Sequence, residues 1–404
     1  MKYTLSVTQK CNLACKYCYV DKYDFAMPLN TALKVVDFIF ENTPPGERID
    51  IGFFGGEPLL VFDLVQQITE MIVEHPAYNE YKVEIDIVSN GTIFSNEIAE
   101  FIRDFNIGYC LSCDGPSFVQ DKMRCFKDGS GSSALVEANI KHARSALPSI
   151  LVNAVYHPLT FGHLPLVVEY FSSLGLRQIY LNPDFTASWS REDTESLATV
   201  YKQIARQYID YYINENPHYI SLIDSKIAVI LRGGYKGSER CKMGQGEFAF
   251  GPSGNIYLCE RLIGNDSGGS HCIGNVHNDF DYYAARCKPV STTPVNTECS
   301  SCGIKDYCTN WCGCSNYFSS GSYNRVGPFL CASEKAAIFS AFYAFNTLEQ
   351  KMGPSFLRHL IGVPAANSLD ECERDGQYSD HIDSKGVGTS TFISLRNGGN
   401  AIRL

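Results

Sequence analysis

The sequence predicts an α/β fold: a partial (β/α)6 barrel of TIM type, followed by a small cysteine-rich α+β domain. Three observations lead there. Apolar segments of strand length alternate with segments of helical periodicity through the first half of the chain. Several strand candidates end in glycine or small polar residues, which marks turns. From about residue 241 the composition shifts to clustered cysteines, frequent glycines and short elements.

The strand candidates are KYTLSVT, RIDIGFFGG, KVEIDIVSNGT, IGYCLSCDGP, SILVNAVYHP and RQIYLNPDF. Between them, LNTALKVVDFIFEN, LVFDLVQQITEMIVEH, SNEIAEFIRDFN, SALVEANIKHARSA and LPLVVEYFSSLG repeat apolar residues at helical spacing. Six such units in order call for parallel strands with helical crossovers. RIDIGFF shows little alternation, as expected of a strand buried on both faces. In such a barrel the chemistry gathers at the C-terminal ends of the strands. Six units leave a side open, wide enough for a large substrate.

SRED predicts a capping box with Ser190 as cap and Asp193 three residues on. It opens a long helix through TESLATVYKQIARQYIDYYINEN, expected to bridge the domains. A further helix is expected over ASEKAAIFSAFYAFNTLEQKMG. The boundaries drawn are 1–230 for the barrel with its bridging helix, 231–345 for the cysteine-rich domain, and 346–404 for a C-terminal helix and a polar, loosely ordered tail from about residue 366.

The chain has 404 residues and a formal net charge of −10, which argues against a general nucleic-acid binder. No run approaches the roughly 20 apolar residues that span a bilayer, so no membrane is expected. MKYTLSVTQ reads as a strand with no export segment before it, which places the protein in the cytoplasm. Thiols stay reduced there, so the 17 cysteines suggest metal ligation rather than disulfides.

CNLACKYCYV brings Cys11, Cys15 and Cys18 together with spacing C-x3-C-x2-C. As ligands of a cubane [4Fe–4S] cluster they hold three irons and leave the fourth open to a substrate or cofactor. A structural zinc site wants a fourth ligand nearby, which this stretch lacks. CNLACKYCY, with Tyr17 before the last cysteine, resembles the signature of the radical S-adenosylmethionine (radical SAM) enzymes. The resemblance implies that the methionine moiety of SAM chelates the open iron. It also implies that one electron from the cluster cleaves SAM to a 5′-deoxyadenosyl radical.

Other strand ends are similar to the same family. Gly55, Gly56, Glu57 and Pro58 form GGEP, the segment that meets the SAM amino group; glycines permit close backbone approach. Ser89 and Asn90 suit ribose hydroxyls. Ser112 and Asp114, in LSCDGP, match the segment beside the SAM methionyl group. Arg124 is a partner for the SAM carboxylate or, alternatively, forms a surface ion pair with Asp121. Asn153 and Leu181 fall on later strands, where the family contacts ribose and adenine.

Downstream runs C-x12-G-x4-C, then C-x2-C-x5-C-x3-C, then a last cysteine: Cys241, Cys259, Cys299, Cys302, Cys308, Cys312 and Cys331. This is similar to the seven-cysteine SPASM domain of a radical SAM subfamily, which implies two auxiliary [4Fe–4S] clusters and three clusters in all. By the resemblance, Cys299, Cys302, Cys308 and Cys331 hold the outer one. Cys241, Cys259 and Cys312 hold the inner one, with Glu247, Cys272, Cys314 or an open iron as its fourth position. Paired zinc knuckles are the alternative. Cys110, Cys113, Cys125, Cys287 and Cys372 are expected to be small buried apolar residues.

The resemblance implies a peptide-modifying oxidoreductase that abstracts hydrogen from a residue of a ribosomally made peptide and forms a crosslink or oxidises a side chain. An anaerobic sulfatase-maturating enzyme is the second reading, with Glu260 standing where those enzymes carry a catalytic aspartate; an ion pair with Arg261 or Arg240 is its plainer role. A non-catalytic, zinc-stabilised binding module is the third. Implied partners are a peptide or protein substrate and an electron donor such as flavodoxin or ferredoxin. With Cys11 so early, leader recognition falls to a separate protein, the open barrel edge or the C-terminal tail.

Overall fold

The computed structural model describes residues 1–237, 241, 243, 244, 246–278 and 296–356. The tail from residue 366, Arg240, Cys287 and Cys372 lie outside the described residues. Two compact units divide the chain. The first comprises Met1–Ala187, Cys241–Thr293 and Gly313–Asn324; the second comprises Ser188–Arg240, Pro294–Cys312 and Arg325–Leu404.

The first unit is the expected partial barrel. Strands β1 (Lys2–Thr8), β2 (Arg48–Gly55), β3 (Lys82–Ser89), β4 (Gly108–Ser112), β5 (Leu151–Tyr156) and β6 (Gln178–Pro183) lie side by side in chain order, all parallel. The crossovers are α1 (Leu29–Asn42), α2 (Phe62–Val73), α3 (Asn96–Asp104), a short α4 (Ser117–Met123) with α5 (Ser133–Ala146), and α6 (Leu164–Ser173). β1 does not close against β6. Its free edge pairs in parallel with β8 (Glu247–Phe250), which continues antiparallel into β9 (Asn255–Tyr257) and β10 (Cys272–Asn275). The cysteine-rich region therefore extends the barrel's own sheet.

Alternation along the strands separates a dry face from a lumen. Tyr3, Leu5, Val7, Ile49, Ile51, Phe53, Ile87, Leu111, Val152 and Ile179 are almost completely buried, each contributing roughly 1.5–3 kcal/mol. On the helix side, the Tyr3 hydroxyl bonds Thr43 Oγ1 at 2.9 Å just after α1. The opposite faces present Lys2, Thr4, Asp50, Gly52, Phe54, Asp86, Ser112, Asn153 and Asn182 to a cavity. β2 therefore alternates, against the expectation of burial on both faces: its inner side chains border open space instead of the packed layers of a closed barrel. α1 buries Ala32, Val35, Val36, Ile39 and Phe40 at helical spacing, and the Ser95 side chain caps α3 by accepting from Ile98 N at 3.2 Å.

In the second unit, α7 (Arg191–Ile213) opens with the expected capping box: Ser190 Oγ accepts from Asp193 N at 3.0 Å, and Asp193 accepts from Ser190 N at 2.9 Å. α7 packs on the helix Pro328–Met352, with Tyr201 and Ser333 hydroxyls 2.9 Å apart in the buried seam and Trp189 stacked on Phe329 at 4.1 Å. The two-residue strand β7 (Tyr219–Ile220) leads into α8 (Ser221–Leu231), which packs on the same helix. No helix among the described residues is long and apolar enough to cross a membrane.

Candidate active site

The loop after β1 carries Cys11, Cys15 and Cys18, and backbone hydrogen bonds fix it from two sides. Gly56 N donates to Thr8 O at 2.7 Å and Glu57 N to Lys10 O at 2.8 Å; Ala14 N donates to Cys125 O and Lys16 N to Met123 O, at 2.8 and 2.9 Å. Lys22 Nζ reaches back to Leu13 O at 2.9 Å. All three cysteines line one cavity of about 540 Å3. Cys11 Sγ accepts from Leu13 N at 3.4 Å and from Asn90 Nδ2 at 3.7 Å. Burial pushes the Cys11 and Cys15 thiols up, opposed by Lys22 at both and by Arg124 at Cys15. Three thiols gathered with the cations Lys22 and Arg124 at one cavity wall fit a metal cluster that takes up their thiolate charge.

The GGEP segment is shaped by that loop. A Cβ on Gly55 would sit 2.3 Å from Thr8 O, and one on Gly56 would sit 2.2 Å from Lys10 O; Gly55 also has φ +130°. Both glycines line the cavity. Glu57 does not. It is fully buried, and its carboxylate accepts from Leu59 N at 3.1 Å, Ser89 Oγ at 3.0 Å and Asn90 N at 2.6 Å. Burial pushes its carboxyl up to about 6, against those three donors. Glu57 thus clamps the end of β2 to the end of β3, and backbone groups remain to meet a ligand. Pro58 is buried at the start of a short 3-10 turn.

Asn90 is likewise tied into the loop: Nδ2 donates to Asn12 Oδ1 at 2.8 Å, and Oδ1 accepts from Thr92 N and Oγ1 at 2.9 and 2.6 Å. Ser89, Asn90, Ser112 and Asn153 border the cavity. Asp114 stands behind Tyr17: the Tyr17 hydroxyl donates to its carboxylate at 2.6 and 2.8 Å, and Val155 N donates to it at 3.0 Å. Arg124 Nη1 donates to the Tyr17 hydroxyl at 2.8 Å. Arg124 is 7 % exposed, lines the cavity, and its Nε is buried without a hydrogen-bond partner among the described residues. The surface ion pair with Asp121 does not form; Asp121 accepts from Ser133 N and Oγ at 2.8 and 2.7 Å.

On β6 the pleat puts Leu181 on the dry face, 2 % exposed, and Asn182 on the lumen, where Nδ2 donates to Asn153 Oδ1 at 2.7 Å. The alternation of IYLN would have selected Asn182 over Leu181. Sequence reading also missed Lys22, Asn12 and Lys2.

The far wall holds Lys2, Tyr19, Phe185, Glu260, Arg261 and Phe318. Lys2 Nζ lies 2.8 Å from Glu247 and 4.0 Å from Glu260. Cys241 Sγ approaches Glu247 Oε2 at 3.3 Å, and Cys259 Sγ approaches Glu260 Oε2 at 3.3 Å. The ligand atoms of Glu247, Cys259 and Glu260 all fall within 4.8 Å of one another. Arg261 lies over the Phe185 ring at 5.1 Å and donates to Ser315 Oγ at 3.4 Å. Glu260 is therefore a cavity residue facing Lys2, not a surface group. Cys314 hydrogen-bonds Cys259, whereas Cys272 Sγ turns to Gly274 O at 3.1 Å.

In the second unit, Cys299, Cys302, Cys308 and Cys331 line one small cavity, with Cys331 in the first turn of the helix Pro328–Met352. Cys312 ends the segment Pro294–Cys312 of that unit. Of the unpatterned cysteines, Cys113 is buried, as expected; Cys110 and Cys125 are partly buried.

A family model described as the radical SAM superfamily matches residues 5–171. The radical SAM cyclopropyl synthase TigE of Paramaledivibacter caminithermalis is 23% identical over 340 residues, covering 76% of this chain and 66% of that protein. A serine-type anaerobic sulfatase-maturating enzyme of Klebsiella aerogenes is 24% identical over 335 residues, covering 78% of this chain and 80% of that one. A solved structure of anSMEcpe with bound AdoMet and the Cp18Cys peptide covers 87% of this chain and 100% of its own, with TM-score 0.73 and 19% identity, a likeness of fold.

Proposed function

We propose, from the premise that residues 5–171 are a radical SAM domain and the chain a radical SAM enzyme, that it modifies a residue of a ribosomally made peptide, forming a crosslink or oxidising a side chain. The observation that carries this reading is one cavity bordered at once by Cys11, Cys15, Cys18, Arg124 and Glu260. Cys11, Cys15 and Cys18 would hold a [4Fe–4S] cluster. With SAM, that cluster supplies a carbon-centred radical able to take hydrogen from an unactivated C–H bond.

The chain's own residues do the rest. Backbone groups at Gly55 and Gly56 meet an ammonium. Arg124, its Nη1 held by Tyr17 and its Nε free, receives a carboxylate. Ser89, Asn90, Ser112 and Asn153 offer polar contacts along the strand ends. Phe54, Tyr19 and Phe185 exclude water from the lumen. Glu260 takes a proton from the substrate, and Lys2 and Arg261 outweigh burial to keep its carboxyl below the ordinary range. The lumen receives the peptide.

Two auxiliary clusters complete the reading. Cys299, Cys302, Cys308 and Cys331 would hold one. Cys241, Cys259 and Cys312 would hold the other, with Glu247, 3.3 Å from Cys241 Sγ, as its oxygen ligand. Domain boundaries at about 230 and 345, a cytoplasmic setting and a flavodoxin- or ferredoxin-like donor belong to the same proposal.

The test is mass spectrometry of candidate peptides after anaerobic incubation with SAM and reductant. Loss of two hydrogens supports crosslinking or oxidation. A second reading, maturation of a sulfatase, is favoured by a carboxylate directly after Cys259 in the cavity; conversion of a target Cys or Ser to formylglycine would select it.

A further inference from the structure

The helix Pro328–Met352 carries Cys331 and, three residues on, Glu334, so the two share a helical face. The Glu334 carboxylate accepts from Thr309 N at 2.6 Å and from Lys226 Nζ at 2.7 Å. Lys226, on α8, also donates to Tyr307 O at 3.4 Å and stands 5.6 Å over the Tyr235 ring. Tyr307 and Thr309 are the chain neighbours of Cys308. An ion pair with side chains only 5% and 12% exposed thus grips the backbone on both sides of one cysteine. Glu334 borders the same cavity as Cys299, Cys302, Cys308 and Cys331, and Lys305 and Lys335 stand at its rim.

Burying such a pair costs much of what it returns, and an apolar replacement can be as stable. What the pair supplies that an apolar couple does not is two opposite, weakly screened charges beside a sulfur. We infer that Lys226 and Glu334 are positioning residues that set the reduction potential of the auxiliary cluster held by Cys299, Cys302, Cys308 and Cys331. The inference rests on the proposed reading of those cysteines and takes it further. One electron from a low-potential donor adds one negative charge to the cluster. The Lys226 ammonium favours that charge and the Glu334 carboxylate disfavours it, so their balance fixes the potential.

The test is a midpoint titration of the reconstituted holoenzyme, followed by electron paramagnetic resonance, with dithionite as reductant. The outer cluster's signal is identified by its loss in Cys331→Ala. Glu334→Gln keeps an acceptor for Thr309 N and should raise the potential. Lys226→Met should lower it, and the double variant should return close to the parent value. If Lys226→Met does not fold, the double variant must still fall below Glu334→Gln. Equal potentials in all variants, or shifts of the same sign, with the cluster fully present, overturn the inference alone. A parent enzyme that lacks the Cys331-dependent signal overturns the cysteine assignment and the inference together.

Discussion

Arg124 Nη1 donates to the hydroxyl of Tyr17 at 2.8 Å inside the cavity wall. On the proposed reading, the bond lets the aromatic of the cysteine loop aim a guanidinium at the SAM carboxylate. Tyr17→Phe should weaken SAM binding about 10-fold while iron content stays at the parent level, and Arg124→Gln should weaken it more, about 10- to 100-fold. Calorimetry on the cluster-loaded enzyme checks both. Unchanged affinity in Arg124→Gln would remove its assigned partner.

Gly56 is required by the backbone of the cysteine loop. Gly56→Ala places a Cβ against Lys10 O and should cost about 1–3 kcal/mol through overpacking. Iron bound after reconstitution should fall with it. Gly52→Ala, with nothing near its Cβ, should fold and load iron normally. Thermal melts and iron assays distinguish the two.

On the proposed reading, Glu260 transfers a proton from the substrate. Glu260→Gln should cut peptide modification about 100-fold or more while deoxyadenosine still forms. Parallel assays of both products, with iron content confirming the auxiliary clusters, separate lost proton transfer from lost folding.

Asp224 gives the second unit a pH dependence. Burial pushes its carboxyl up to about 7, despite donors at Ile220 N and the Tyr208 hydroxyl, each at 2.7 Å. The unfolded chain ionises near 4. The folded state therefore holds the proton longer, so its stabilising share is complete below about pH 4 and is lost as pH rises through about 7. The slope should be about 1.4 kcal/mol per pH unit within that window. Asp224→Asn, which mimics the acid form, should flatten stability between about pH 4 and 7.

The six strand–helix units, the capping box at Ser190 and the open barrel were legible because each depends on local periodicity or on a cap written into adjacent residues. The cysteine loop was legible as a cluster of ligand types. Three things were not. The pairing of β8 with β1 joins Glu247 to Lys2 across most of the chain, and no local signal marks it. Glu57 looked like a ligand contact because a carboxylate after two glycines suits an ammonium. Its three donors come from Leu59 and from Ser89 and Asn90 at the end of β3, visible only once the strands are adjacent. Position along β6 points to Leu181, whereas the pleat turns Asn182 inward.

The central claim is that the loop after β1 supplies three thiolates and leaves one metal position for SAM. Anaerobic, dithionite-driven release of 5′-deoxyadenosine measures it directly, comparing the parent with Cys15→Ala. Steady release is expected from the parent and none above background from the variant, with iron reduced by about one cluster of three. Equal release from Cys15→Ala would contradict it.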